Sequence, residues 1–140
     1  MSRTRPRRDS FTMISNGSIK VFLADDSLQI RERVCALLDA ADIAVVGEAA
    51  TPATCISGIL DVHPDVVVLD VQLEGGSGLQ VLQAVRTADP DVAFVVFSNN
   101  SAPAYRKRYL GEGAACFLDK STEFDQLARA VVTAGRRAVH

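Results

Sequence analysis

The chain has 140 residues, 48% of them hydrophobic, which suits one domain with a core of ordinary size. Its formal charge is −2, but Arg3, Arg5, Arg7 and Arg8 crowd the first eight positions; setting aside residues 1–13, the totals of 15 basic and 17 acidic residues fall to 11 and 16. An acidic body of this kind argues against sequence-independent DNA binding, which needs lysine and arginine facing phosphates.

The basic leader, residues 1–18, reads as a flexible tail. No apolar stretch follows its charges, so it is not a signal peptide. A start at Met13, or an arm for nucleic acid or a membrane surface, are the other readings. Ile19–Ala24 is an apolar run that reads as the first strand, followed by Ser27 as cap of a helix whose inner positions are Leu28, the Arg31 stem, Val34, Leu37, Leu38 and Ala41. Ile43–Glu48 is the second strand. Thr51-Pro52 opens a helix with Ile56, Ile59 and Leu60 inside, closed by His63-Pro64. Asp65–Leu69 is apolar on consecutive residues, the pattern of a parallel strand covered on both faces.

Gly75–Gly78 reads as a loop before a third helix marked by Leu79, Leu82 and Val85 and ended near Asp89-Pro90. Val92–Phe97 is the fourth strand. Pro103 starts a short polar helix through Tyr109, in which Arg106-Lys107-Arg108 is a solvated face or a docking patch. Ala114–Leu118 is the fifth strand, and Thr122 caps a last helix with Phe124, Leu127, Ala128, Val131 and Val132 inside. The domain then covers residues 19–136, with a short tail at 137–140. Strict alternation of strands and helices, with right-handed crossovers, gives an α/β doubly wound parallel sheet. The flavodoxin-like order 2-1-3-4-5 sets strands one and three side by side, and ligands in such sheets bind beyond the strands' carboxyl ends.

Asp25, Asp26, Asp70, Ser98 and Lys120 all fall at those ends. Three carboxylates at one edge need an offsetting charge, and a hard divalent cation with oxygen ligands is the natural one. Each residue also has a plain reading: Asp25–Ser27 as helix cap, Asp70 as turn, Ser98 as loop, Lys120 as surface, Phe117 as core. Cys35, Cys55 and Cys116, odd in number and far apart, do not form a zinc set and read as small buried residues of a reducing, cytoplasmic compartment. No apolar run is long enough to span a membrane.

Taken together, these residues resemble the receiver domain of bacterial two-component response regulators: an acidic pair after strand one (Asp25-Asp26), Asp70 after strand three, Ser98 after strand four, Lys120 after strand five, Phe117 three positions before that lysine, and Gly78 eight past Asp70. The resemblance covers residues 19–136. It implies that Asp70 takes a phosphoryl group, that Asp25, Asp26, Asp70 and the Gln72 backbone carbonyl hold Mg²⁺, and that Lys120 and Ser98 attend the phosphoryl oxygens. It also implies that Ser98 and Phe117 form a switch that alters the face of the fourth helix, fifth strand and fifth helix. A sensor histidine kinase or histidine phosphotransfer protein would supply phosphate, and a partner protein would read the changed face. No enzymatic activity is implied beyond self-phosphorylation and autodephosphorylation. The expectation is a single-domain regulator; homodimer formation stays open.

This chain departs from the family pattern at Ser121, where proline usually follows the lysine, at Asn99 in place of a small residue, and at Glu74 in place of proline. A cis Lys120–Ser121 bond would cost about 2.5–4 kcal/mol without proline. The competing functions are a degenerate receiver that binds partners without phosphorylation, a haloacid-dehalogenase-type phosphatase, which needs an Asp where Gln72 stands, and a nucleotide or flavin module, which needs glycines where Asp25-Asp26-Ser27-Leu28 stands.

Overall fold

The computed structural model describes residues 18–138; the basic leader up to residue 17 and the last two residues lie outside the described residues. The elements are β1 (Lys20–Ala24), α1 (Leu28–Ala40), β2 (Ala44–Ala49), α2 (Pro52–Val62), β3 (Val66–Leu69), the short strands β4 (Gln72–Leu73) and β5 (Gly76–Ser77), α3 (Gly78–Ala88), β6 (Ala93–Ser98), α4 (Pro103–Gly111), β7 (Cys116–Asp119), a 3₁₀ turn (Phe124–Gln126) and α5 (Leu127–Ala138). The main sheet runs β2-β1-β3-β6-β7, all parallel. This is the flavodoxin-like order expected from the alternation, with the first and third principal strands adjacent.

The consecutive apolar residues of the strands serve two cores. On one face Phe22, Val67, Leu69, Phe94, Val96 and Phe117 pack with Cys55 and Ile59 of α2 and Val81, Leu82 and Val85 of α3. On the other, Val21, Leu23, Val66, Val68, Val95 and Phe97 pack with Val34 and Leu38 of α1 and Leu127 and Val131 of α5. Successive side chains point to opposite faces of a strand, so burial of both faces demands an unbroken apolar run.

Helix starts follow the sequence cues. The Ser27 hydroxyl accepts from the Ile30 amide at 3.2 Å. Thr51 and Thr54 form a reciprocal capping box with Pro52 in the first turn. His63 closes α2 in the left-handed conformation at φ 50°.

Several local expectations are corrected. The glycine-rich stretch is no plain loop: β4 and β5 pair antiparallel around Gly75, whose φ of 79° makes the turn. Leu28 is 58% exposed at the first position of α1, where it faces away from the core. Thr122 does not cap α5; a 3₁₀ turn intervenes, and the Glu123 carboxylate accepts the Asp119 amide at 2.9 Å. Only Cys55 is buried; Cys35 and Cys116 are half-buried. α5 runs through Ala138, so 137–138 belong to the helix. Every peptide bond among the described residues is trans, Lys120–Ser121 included. No helix among them is long and apolar enough to cross a membrane.

Candidate functional site

Strand register brings the chemistry together. Ala24 pairs with Leu69, Leu69 with Val96, and Ser98 with Asp119. The residues that follow these pairs therefore emerge at one edge. Backbone bonds carry the sheet into the loops: the Asp70 amide donates to the Ala24 carbonyl at 2.9 Å and the Lys120 amide to the Ser98 carbonyl at 3.0 Å. Asp25, Asp70, Ser98 and Lys120 are the buried polar side chains of the described residues, at 6, 9, 1 and 8% exposure. Such groups stay buried only when each finds a partner.

The Lys120 ammonium is the hub. Its Nζ lies 2.6 Å from Asp25 Oδ2 and 2.9 Å from Asp70 Oδ2. The bridge to Asp70 was expected; the shorter contact to Asp25 was not. Burial by itself would lower the Lys120 pKa, but the hydrogen bonds and charges of Asp25 and Asp70 outweigh it, and the net shift is upward. For Asp25 burial is the largest influence, and its carboxyl is raised despite opposing hydrogen bonds from Lys120 and the Ser27 amide.

Asp26 is exposed at the rim, and its carboxylate oxygen falls within 4.8 Å of oxygens of both Asp25 and Asp70. Asp26, Asp70, Gln72, Ser98, Asn99 and Asn100 line one small cleft of about 170 Å³. The Ser98 hydroxyl oxygen accepts the Asn100 amide at 3.1 Å. That bond uses a lone pair and leaves the hydroxyl proton available for donation. Gly78 is fixed by sterics: its amide donates to the Val71 carbonyl at 2.9 Å, and a Cβ there would overlap the Asp70 carbonyl.

The donor set suits a hard cation. Three carboxylate oxygens within reach of one another, with no sulfur or imidazole beside them, match the oxygen preference of Mg²⁺. Asp25, Asp26 and Asp70 would hold it, and Gln72 borders the same cleft.

Phe117 is buried on β7, its ring edge-on to Tyr109 with centroids 6.2 Å apart. Arg106 lies over that ring at 5.0 Å and donates Nη1–H to the Phe117 carbonyl at 2.9 Å. Arg106 is therefore no simple solvated charge. Arg108 does sit on the open face and pairs with Glu112 at 3.4 Å.

Other supporting residues gave little signal in sequence. Arg31 donates Nη1–H to the Asp25 carbonyl at 2.6 Å and Nε–H to Glu48 at 2.7 Å, pinning the loop that carries the acidic pair. The Tyr109 phenol donates to the Val71 carbonyl at 3.3 Å. Burial pushes that phenol up to about 12.

The fold and the site together define a doubly wound domain with an acidic, lysine-bridged centre at the carboxyl edge of its sheet. The sequence profile described as the response regulator receiver domain matches residues 21–132. Over 121 residues the chain is 33% identical to the DNA-binding transcriptional activator DevR/DosR of Mycobacterium tuberculosis, covering 84% of this chain and 56% of that one. It is 29% identical over 124 residues to the response regulator GacA of Pseudomonas aeruginosa, covering 86% and 58%. Among solved structures, the signal receiver domain of the M. tuberculosis response regulator NarL aligns with a TM-score of 0.80 at 31% identity, covering 86% of this chain and 98% of that one. The chain belongs to the response regulator receiver family of two-component systems. It spans little more than half the length of the two relatives named, DevR/DosR and GacA.

Proposed function

We propose that Asp70 is the phosphoacceptor of this receiver, charged by a sensor histidine kinase or a histidine phosphotransfer protein. An Asp70 carboxylate oxygen attacks phosphorus, an O–P bond forms, and the P–N bond to the donor imidazole breaks with its electrons leaving on nitrogen. The product is an acyl phosphate. Such transfers depend on positioning and charge neutralisation more than on covalent help. Lys120, held 2.9 Å from Asp70, is placed to follow the new phosphoryl oxygens, and the Ser98 hydroxyl has a proton to give them.

The observation that carries this reading is the buried Asp70 carboxylate bridged by Lys120 to Asp25, in a cleft it shares with Ser98 and Asp26. Mg²⁺ held by Asp25, Asp26 and Asp70, with the Gln72 carbonyl, would supply positive charge against the phosphoryl oxygens. Output follows when Ser98 is drawn to the phosphoryl group and Phe117, beside Tyr109 and under Arg106, repacks. The face of α4, β7 and α5 then changes for a downstream protein partner. Incubation with acetyl phosphate and Mg²⁺ tests the reading. One hydroxylamine-labile phosphoryl group is expected, absent in Asp70→Asn. No labelling of the parent would leave a phosphorylation-independent interaction module.

A further inference from the structure

The loop after Lys120 has an internal fastener at Ser121, the position where the family usually has proline. Asp119 Oδ1 accepts the Ser121 amide at 2.7 Å and also the Ser121 hydroxyl. Its other oxygen, Oδ2, accepts the Ser101 hydroxyl at 2.6 Å. Ser101 lies in the β6–α4 loop, three residues past Ser98, which ends β6; Ser121 follows Lys120 directly. One carboxylate thus ties the loop that follows the site's hydroxyl to the loop that carries its ammonium. The sheet already joins them once, through the Lys120 amide and the Ser98 carbonyl, and the side-chain bond adds a second tie beyond the strand ends. Glu123 braces the same turn through the Asp119 amide.

We propose that Asp119 is a positioning residue: with Ser101 it latches the Ser98 loop to the Lys120 loop, so that hydroxyl and ammonium meet the phosphoryl group as one preset pair. This rests on Asp70 being the phosphoacceptor. The chemistry suits a permanent latch. Three hydrogen bonds to one anion are charge-assisted and short, and they hold the Asp119 carboxyl down at about 2, so it stays ionised at working pH. Because both groups attend the phosphoryl oxygens whether the group arrives or leaves, a loosened latch slows loading and hydrolysis together. Misplacement of a positioned group by a fraction of its contact distance is costly in rate. The backbone of the acidic pair is held on a different loop by Arg31, so cation affinity, which the latch reaches only through the Lys120 contacts to Asp25 and Asp70, should change less than the rates.

The test is a double-mutant cycle on Ser101→Ala and Asp119→Asn. Loading by acetyl phosphate and the subsequent loss of phosphate are timed in each, with the half-saturating Mg²⁺ concentration. Each single variant should slow both steps about tenfold, the rate equivalent of one charge-assisted hydrogen bond. The double variant should be little slower than Asp119→Asn alone, because that change already breaks the Ser101–Asp119 bond. The Mg²⁺ midpoint should shift by much less than the rates, and Ser101→Thr, which keeps the hydroxyl, should restore both rates. Full additivity, or rates equal to the parent, overturns the latch while leaving the phosphoacceptor reading intact. A parent that takes no label overturns that reading instead. Hydrogen exchange in the unphosphorylated protein then still judges the contact: Ser101→Ala should speed exchange at the Ser121 amide, and unchanged protection rules the latch out.

Discussion

Two turns at the same edge of the sheet are built alike and behave oppositely. After β1, Asp25 Oδ1 accepts the amide of Ser27 at 2.9 Å; after β7, Asp119 Oδ1 accepts the amide of Ser121 at 2.7 Å. Asp25 is buried, and burial raises its pKa above the usual carboxylate value. Asp119 is half-buried, and the hydroxyls of Ser101 and Ser121 with the Ser121 amide lower its pKa to about 2. The local hydrogen bond is the same; desolvation decides what the acid is for. A buried carboxylate that resists charging needs a cation beside it, and Lys120 is that cation. A carboxylate satisfied by hydroxyls and amides needs none, and serves as a fastener.

The largest break of this contrast should come at the buried turn. Changing Asp25 and Asp26 together to Asn should abolish Mg²⁺ binding, read by calorimetry, and phosphorylation by acetyl phosphate with it. Asp119→Asn should retain Mg²⁺ binding. Labelling of the double variant at the parent rate would reduce the acidic pair to a helix cap.

Next is the ammonium that the buried turn depends on. Lys120→Met leaves Asp25 and Asp70 without their shared partner at side-chain exposures of 9 and 12%. Removing one member of a buried ion pair costs about 3 kcal/mol at neutral pH. Urea unfolding should show this, and added Mg²⁺ should recover part of the loss because it binds only the folded acids. A midpoint equal to the parent's would mean that the ammonium does not hold these carboxylates together.

The half-buried turn should show itself in acid. The Asp119 carboxyl has a folded pKa of about 2 against an ordinary 3.8. A depressed pKa adds stability that is fully present above the unfolded value and is lost as pH falls through the folded one. Asp119→Asn should therefore be less stable than the parent near neutrality, and the gap should close between pH 3.8 and about 2. A gap that is constant with pH would assign the effect to packing and not to charge.

The smallest effect is expected at Tyr109→Phe. The phenol donates to the Val71 carbonyl, but that oxygen also accepts the Gly78 amide and stays satisfied without it. The loss should be about 0.5 kcal/mol, the low end for a neutral hydrogen bond. A loss several times larger would show that the phenol, next to the Asp70 loop, does more than fill space.

The buried turn was legible in the sequence and the half-buried one was not, for a physical reason. Asp25 and Asp70 end unbroken apolar runs, so strand position predicts both their burial and their meeting. Parallel-sheet topology does the rest, and Ser98 and Lys120 follow by the same logic. Asp119 gives no such signal. It ends β7 like any polar terminal residue, and its partner Ser101 is 18 positions away in a loop whose path sequence does not reveal. Arg106 misled in the other direction: a run of three basic residues reads as solvated, whereas stacking on Phe117 depends on the angle at which α4 crosses β7. Leu28 fits the helical spacing of an inner position, but the helix begins there and its first turn projects past the core.

The most direct test of the account is the location of the phosphoryl group. The protein is loaded with acetyl phosphate and Mg²⁺ and reduced with borohydride, which converts an aspartyl phosphate to homoserine, and its peptides are then sequenced by mass spectrometry. Homoserine at position 70 and nowhere else is the predicted result. Homoserine at Asp25, Asp26 or Asp119, or none in a protein that has taken up phosphate, would contradict it.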